Sequence, residues 1–181
     1  MTSVGRVRFP AFDLPRAGGG RFTNDTFAGK PWVAYVARHP GCMVCQDMLG
    51  KALQHRAEVQ ALGGDIAVFF QADPAYVDLW FAKSSLPSDL TVASDPDAGL
   101  YAALGTVRAS WKTLLLASPM PMVEAWRNGH RPTPSGQDYQ RMGADVAVDA
   151  DGEIARLHVC KDATDRVPVP QLIAALTAAD A

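Results

Sequence analysis

Short, almost wholly apolar runs alternate with amphipathic segments along the chain. Two of the runs, residues 31–37 and 66–70, contain no charged side chain and are typical of strands buried on both faces of a sheet. Between them, apolar residues recur every three or four positions over residues 42–62, and two glycines follow. This pattern predicts one helix that ends at the glycines, and therefore a right-handed βαβ unit with parallel strands.

The rest of the chain continues the alternation. Asp73-Pro74 predicts the start of a second helix, residues 90–93 a short third strand, and Asp95-Pro96 a helix that ends near Leu104. A turn at 150–152 joins predicted strands over 142–149 and 153–159, and a terminal helix is expected from Pro168 or Pro170 to Ala179. We therefore expect a single α/β domain over residues 1–181, with a mixed central sheet and helices on both faces.

Residues 105–140 have the least regular pattern. Apolar side chains concentrate there around prolines and precede a polar, glycine- and proline-rich stretch; they are Trp111, Leu114, Leu115, Leu116, Met120, Met122, Val123 and Trp126. The favoured interpretation is a helix packed on the core, followed by an exposed loop. The alternative makes this segment a lid over a nearby reactive site, or a dimer surface.

Composition narrows the function classes. The chain has 181 residues, 48% of them hydrophobic, and its 17 Lys and Arg nearly balance 19 Asp and Glu, for a formal net charge of -2. Without a basic stripe, nucleic acid is not an expected partner. No apolar run approaches the roughly 18 residues of a membrane span, and the N-terminus lacks a signal core, so we expect a cytoplasmic protein without a membrane partner.

The candidate chemistry lies in Cys42-Met43-Val44-Cys45, which directly follows the first predicted strand and turn. Two cysteines at this spacing, at the N-terminus of a helix, favour thiol redox chemistry, because free N–H groups and the helix dipole stabilise a thiolate. Cys45 continues the apolar stripe of the helix, whereas Cys42 in the first turn can stay open to solvent or substrate. We therefore predict that Cys42 attacks and Cys45 resolves.

Other interpretations of the cysteines are weaker. A zinc site would need two further ligands, but the only other soft candidates lie scattered along the chain: His39, His55, His130, His158 and Cys160. We expect no metal and no cofactor. A purely structural disulfide across four residues would constrain the unfolded chain little, and the role of a small buried hydrophobe suits Cys45 better than Cys42. Cys160 is expected to be a buried residue outside the catalytic set.

Residues 36–45, with Arg38, Pro40, Gly41, Cys42 and Cys45, resemble the Arg-x-Pro-Gly-Cys-x-x-Cys signature of peroxiredoxin-like proteins in the alkyl hydroperoxide reductase and thiol-specific antioxidant superfamily. Weaker similarity covers residues 9–14, 94–105 and 146–152. The resemblance implies a thioredoxin-like fold with a peroxiredoxin-like N-terminal extension, and a thiol-dependent antioxidant activity. One branch similar in this motif is known as prostamide/prostaglandin F synthase, a reductase of an endoperoxide bond.

Three features depart from those families. Peroxiredoxins have Pro seven residues and Thr or Ser three residues before the attacking cysteine, where this chain has Tyr35 and His39. Thioredoxins have a cis-proline before the late hairpin, where this chain has Arg141-Met142-Gly143-Ala144. The departures predict a slower or more specialised thiol reaction than fast peroxide reduction.

Arg38 and His39 complete the candidate catalytic set with Cys42 and Cys45. A cation beside Cys42 would lower its pKa, and an imidazole could protonate a leaving group. The sequence does not fix the direction of either side chain.

The sequence therefore predicts a thiol-dependent oxidoreductase or peroxidase that cycles between a dithiol and a Cys42–Cys45 disulfide. Its expected partners are a peroxide or disulfide substrate and an external thiol reductant, such as a thioredoxin-like protein or a low-molecular-weight thiol, and a homodimer is possible. The alternative is a non-enzymatic redox sensor or partner-binding scaffold switched by the same disulfide.

Overall fold

A five-stranded mixed sheet forms the centre of the molecule. The computed structural model describes residues 7–110, 119–133 and 138–179. Its strands in chain order are β1 (Asp13–Pro15), β2 (Arg21–Thr23), β3 (Trp32–Val36), β4 (Ile66–Phe70), β5 (Thr91–Ser94), β6 (Ala144–Val148) and β7 (Ile154–Val159). The central sheet has the order β5-β4-β3-β6-β7, with β3 parallel to β4 and antiparallel to β6. The predicted mixed sheet is confirmed.

The described residues contain six helices, which lie around the sheet. They are α1 (Met43–Leu53), α2 (Arg56–Ala61), α3 (Pro74–Lys83), α4 (Gly99–Ala103), α5 (Met120–Arg127) and α6 (Val169–Ala179), and a 3-10 turn covers Asn24–Phe27. Helices α1, α3 and α6 pack on one face of the sheet through Leu49, Val77 and Leu172, and α4 packs on the other through Tyr101. Helices therefore cover both faces, as predicted.

The prediction of one continuous helix over residues 42–62 is wrong. The helix breaks at Gln54 and His55, and α2 restarts at Arg56. The break turns the Arg56 guanidinium toward two carboxylates, with Nη2 2.7 Å from Asp65 Oδ2 and Nη1 2.9 Å from Asp89 Oδ1. It also brings Val59 into the core, where it is fully buried. These partners are distant in sequence, so helical periodicity alone could not reveal the break.

The N-terminal residues cover one face of the sheet with aromatic side chains. Strands β1 and β2 form a small hairpin whose turn, Gly18-Gly19-Gly20, has positive φ at all three glycines. The hairpin brings Phe12 and Phe22 against Trp32 of β3, and the Phe22 and Trp32 ring centroids lie 6.0 Å apart. This layer keeps β3 buried on both faces, so that the chain leaves the sheet at a fixed point after Val36.

A buried ion pair lies beside the end of β3. Arg166 Nη1 is 2.7 Å from Asp145 Oδ1, and the two side chains are 7% and 1% exposed. The guanidinium also donates to the carbonyl oxygen of Val36 and stacks over the Tyr35 ring, 4.3 Å from its centroid. Breaking a buried pair leaves one charge without compensation, which is far more costly than losing an exposed pair.

The Asp145→Ala variant should therefore lower the free energy of unfolding by about 3 to 5 kcal/mol. The matched control is Asp13→Ala, because Asp13 forms a pair of the same length with Arg21, 2.7 Å, but both side chains are more than half exposed. Its loss should be no more than about 1 kcal/mol. Urea denaturation of the three proteins measures both values, and equal losses would contradict the assignment.

Candidate active site

The connection between β3 and α1 presents both cysteines at the start of a helix. After Val36 the chain turns through Arg38, His39 and Gly41, and Cys42 is the residue that caps α1. Its Sγ accepts a hydrogen bond from the backbone N–H of Cys45 at 3.3 Å. The strand-turn-helix arrangement predicted from the sequence is confirmed, and one helical N–H group points at the first sulfur.

Cys42 and Cys45 are free cysteines whose side chains are hydrogen bonded to each other. Cys42 is 9% exposed and Cys45 1%, so the expectation of an open Cys42 is wrong in this structure. Both cysteines belong to one apolar cluster with Val44 and with Ala125 of α5. Cys42 remains the more accessible of the two.

The cysteines ionise as a pair. The hydrogen bond that the Cys42 thiol gives to Cys45, together with burial, raises the pKa of Cys42 well above its usual value. Burial also opposes ionisation of Cys45, but the hydrogen bond from Cys42 and the cations Arg166 and Arg38 outweigh it and lower its pKa to about 6. At neutral pH the pair therefore holds one proton and one negative charge, which the two sulfurs share.

Arg38 points at the dithiol. Its Nη1 lies 3.9 Å from Cys42 Sγ, and Nη2 donates to the backbone oxygen of Tyr139. The contact with Tyr139 holds the guanidinium in place from across the site. A fixed cation at this distance stabilises negative charge on either sulfur, since it lowers the pKa of both.

His39 is buried, with 3% of its surface exposed, and its ring meets Tyr139 edge to face at 4.9 Å between centroids. Burial, and then the neighbouring Arg38, lower the pKa of His39 to about 4. The imidazole is therefore neutral at physiological pH, and it does not carry the positive charge of a strong proton donor. Burial against an aromatic ring gives His39 a packing role, with a neutral N–H still able to donate.

Arg166, far along the chain, lies near the dithiol, and sequence reasoning missed it. Arg166 and Tyr35 lie behind Cys45, and Arg166 contributes to the low pKa of that thiol. Cys160 is fully buried beside the same ion pair, where burial raises its pKa to about 12. No local sequence motif marks Arg166. Its neighbour Asp165 accepts hydrogen bonds from His158 and from the backbone N–H of Lys161.

Within the described part of residues 105–140 the expected helix is present, but most of its large apolar side chains are exposed and do not lie in the core, in contrast to the favoured interpretation. Helix α5 packs on α1 and on the cysteines, and only its Ala125 is fully buried. Four large apolar side chains of α5 are exposed: Met120, Met122, Val123 and Trp126. Trp111 and the leucines at 114–116 lie outside the described residues. A cleft of about 570 Å³ opens beside α1, between Gln46, Trp80 and Thr133.

Neither a metal-binding cluster nor a membrane-spanning helix occurs in the residues that the structure describes. Within residues 7–110, 119–133 and 138–179, no three His, Cys, Asp or Glu side chains come together as a metal site would require. In the same residues, every helix is too short or too polar to reach across a bilayer.

Comparison with solved structures places the chain among thioredoxin-like folds. AhpC of Enterococcus faecalis matches with a TM-score of 0.66 at 16% identity, over 99% of this chain and 93% of that chain. The bacterioferritin comigratory protein of Xanthomonas campestris, whose alkyl peroxide reduction activity was studied, matches with a TM-score of 0.58 at 16% identity, over 94% and 92%. A thiol:disulfide interchange protein of the thioredoxin family from Chlorobium tepidum matches with a TM-score of 0.56 at 12% identity, over 97% and 99%.

At these identities the likeness establishes the fold, and the predicted thioredoxin-like class is confirmed. The peroxiredoxin-type and thiol:disulfide neighbours agree with the resemblance read from the CxxC motif. No protein-family model matches the chain, and no curated protein matches its sequence.

The depressed pKa of His39 predicts a specific pH dependence of stability. In the unfolded chain His39 takes up a proton near pH 6.5, but in the folded protein only near pH 4. The free energy of unfolding is therefore highest above pH 6.5, where His39 is neutral in both states, and it falls as pH is lowered toward 4. This interval corresponds to a loss on the order of 3 kcal/mol. Denaturant unfolding between pH 7 and 4 should show that loss in the wild type and a flatter profile in His39→Gln.

His55→Gln is the matched control for that experiment, because His55 lies at the break between α1 and α2, away from the cysteines. It should keep the wild-type fall between pH 6.5 and 4. Parallel profiles of His39→Gln and the wild type would show that His39 does not titrate as described.

Proposed function

We propose that the protein is a thiol oxidoreductase or thiol peroxidase that uses Cys42 and Cys45 as a redox dithiol. The observation that carries the proposal is the geometry of the pair: two hydrogen-bonded sulfurs at a helix N-terminus, with an N–H at 3.3 Å and a guanidinium at 3.9 Å from Cys42 Sγ. Structural cysteines need none of these groups. A reacting sulfur uses groups of this kind, since they stabilise a thiolate.

Cys42 is the proposed attacking sulfur. It is the more exposed of the two, whereas Cys45 is 1% exposed and lies behind it. Attack requires the negative charge of the pair to lie on Cys42 and the shared proton to lie on Cys45. The Cys45 N–H and the Arg38 guanidinium then hold the new charge on Cys42.

With a disulfide substrate, the Cys42 thiolate bonds to one substrate sulfur, and the other leaves as a thiolate that takes up a proton. Cys45 then loses its proton and attacks Cys42 Sγ, which closes the intramolecular disulfide and releases the second substrate thiol. The substrate is reduced by two electrons and the dithiol is oxidised by two. An external dithiol or two small thiols then reduce the Cys42–Cys45 disulfide and restore the dithiol.

With a hydroperoxide, Cys42 attacks the terminal oxygen and becomes a sulfenic acid while the O–O bond breaks and an alkoxide leaves. The alkoxide takes up a proton and becomes an alcohol. Condensation of the sulfenic acid with the Cys45 thiol gives the disulfide and water. Since His39 is neutral near pH 7, it can act only as a weak donor here, in keeping with a slow peroxidase.

The cleft beside α1 is the proposed approach for organic substrates. It is lined by apolar side chains including Leu49, Trp80 and Leu86, and it reaches Gln46, which follows Cys42 by one helical turn. Its volume suits an organic molecule or an apolar peptide side chain better than hydrogen peroxide. A reducing compartment such as the cytoplasm belongs to the proposal, because three cysteines, an odd number, fit free thiols better than a disulfide framework.

The rival function is a redox sensor or scaffold without turnover, and the covered state of Cys42 is the observation that favours it. Both functions form the same disulfide. They differ in stoichiometry, because an enzyme consumes many equivalents of substrate when a thiol reductant is supplied, whereas a sensor consumes one.

Single cysteine variants test the proposal. With dithiothreitol as reductant and a panel of disulfides, hydrogen peroxide and cumene hydroperoxide, Cys42→Ser should lose turnover by at least about 100-fold, since it removes the nucleophile. Cys45→Ser should keep the first step and accumulate a mixed disulfide or sulfenic acid on Cys42, identified by mass spectrometry. Cys160→Ser is the control and should keep turnover. Turnover retained in Cys42→Ser would refute the mechanism, and a single equivalent consumed by the wild type would favour the sensor.

A further inference from the structure

The segment 119–133, here called the strap, runs over the N-terminal half of α1 and over Cys42. Its helix α5 buries only Ala125, which packs against the two cysteines and Val44. Beyond the helix, the N–H of Thr133 donates to the carbonyl oxygen of Gly41 at 3.2 Å, immediately before Cys42. A Cβ atom at Gly41 would lie 2.1 Å from the Thr133 carbonyl oxygen, so the strap passes directly over the start of α1.

Polar contacts, and little apolar burial, hold the strap in place. Asp47, whose side chain is 5% exposed, is the centre of these contacts: Asn128 Nδ2 donates to its Oδ1 at 2.6 Å, and Lys51 Nζ lies 2.9 Å from its Oδ2. Lys51 also pairs with Glu124 of the strap at 2.9 Å. The contact set formed by Asp47, Lys51, Glu124 and Asn128 is called the latch.

Three further contacts continue the latch toward Cys42. His130 Nδ1 is 3.2 Å from Gln46 Oε1, and His130 Nε2 is 3.9 Å from Asp47 Oδ1. The Thr133 hydroxyl is 2.9 Å from the Tyr76 hydroxyl on α3. Segments that bury few apolar side chains and depend on exposed hydrogen bonds open at low free-energy cost, whereas sheet strands do not.

The chemistry at Cys42 needs the sulfur to meet a substrate atom at bonding distance. Cys42 is only 9% exposed, and Ala125 of the strap lies in the same apolar cluster. A bulky substrate needs more of the Cys42 surface than the closed structure exposes. The latch therefore lies where its opening would change which substrates reach Cys42.

We propose that the strap is a gate over Cys42, held closed by the latch on α1, which swings away as a unit to admit large substrates or a protein reductant. This inference rests on the proposed function for its biological meaning, because a gate over a sulfur that does not react would have no consequence. The motion itself does not depend on that function. Opening the gate should raise the accessibility of Cys42 without altering the bonds that fix its charge.

Latch variants on the strap test the gate. Asn128→Asp places a second carboxylate against Asp47, and Glu124→Lys places a second ammonium against Lys51; both positions are exposed, so the fold should survive, as checked by circular dichroism. The control Met122→Asp adds the same negative charge as Asn128→Asp, but on the outer face of α5, where the side chain is 55% exposed. Alkylation of reduced protein is followed with iodoacetamide and with a polyethylene glycol maleimide, and peptide mass spectrometry assigns the labelled cysteine.

Asn128→Asp should raise the rate of Cys42 labelling by the bulky maleimide about tenfold, because a hydrogen bond to the buried Asp47 carboxylate is lost. Glu124→Lys breaks an exposed pair and should raise that rate about threefold. Iodoacetamide should gain far less, and Met122→Asp should match the wild type. Rates within twofold of the wild type for both latch variants would overturn the gate. Equal acceleration of the two reagents, or acceleration in Met122→Asp, would also overturn it, since these results indicate changed ionisation or general loosening.

The labelling result is separable from turnover. If Cys42→Ser keeps activity, the proposed function fails, but labelling of Cys42 in the latch variants still reports whether the strap opens. If the function holds and labelling does not change with the latch, the gate alone is wrong.

Discussion

Negative charge has to be held on one of two sulfurs that water barely reaches, and the site is organised around this requirement. Burial alone would keep both thiols protonated. Their mutual hydrogen bond, the start of α1 and the cations Arg38 and Arg166 oppose burial and leave one proton for the pair. The cations in turn depend on partners: Arg38 on Tyr139, and Arg166 on Asp145. Residues from three distant stretches of chain thus converge on one charge.

The sheet supplies the rigidity that this arrangement needs. Strand β3 is paired on both edges and buried on both faces, so the chain leaves it at Val36 in one direction only. The carbonyl oxygen of Val36 also accepts from Arg166, which ties the buried ion pair to the same point. By contrast, the side of the site that faces solvent is closed by polar contacts of the strap. A rigid base and a loosely held cover suit a nucleophile that must be protected at rest and reached during reaction.

Sequence patterns predicted the parts of the molecule that local physics determines. The uniform apolarity of residues 31–37 and 66–70 gave the central strands, and the position of Cys42 after a turn gave the helix start. Three-residue strands such as β1 carry too little periodicity to be recognised. The break at His55 depends on ion pairs of Arg56 with distant carboxylates. Likewise, the cover over Cys42 depends on where α5 packs, and Arg166 is only one basic residue among many until the fold brings it beside Tyr35.

The most direct test of the shared proton is a titration of thiolate absorbance at 240 nm in the reduced protein. The account predicts one thiolate appearing with a midpoint near pH 6 in the wild type. Both Cys42→Ala and Cys45→Ala should lose that midpoint, because each removes one partner of the hydrogen-bonded pair that shares the proton. Retention of the low midpoint in either variant, or no thiolate below pH 8 in the wild type, would contradict it.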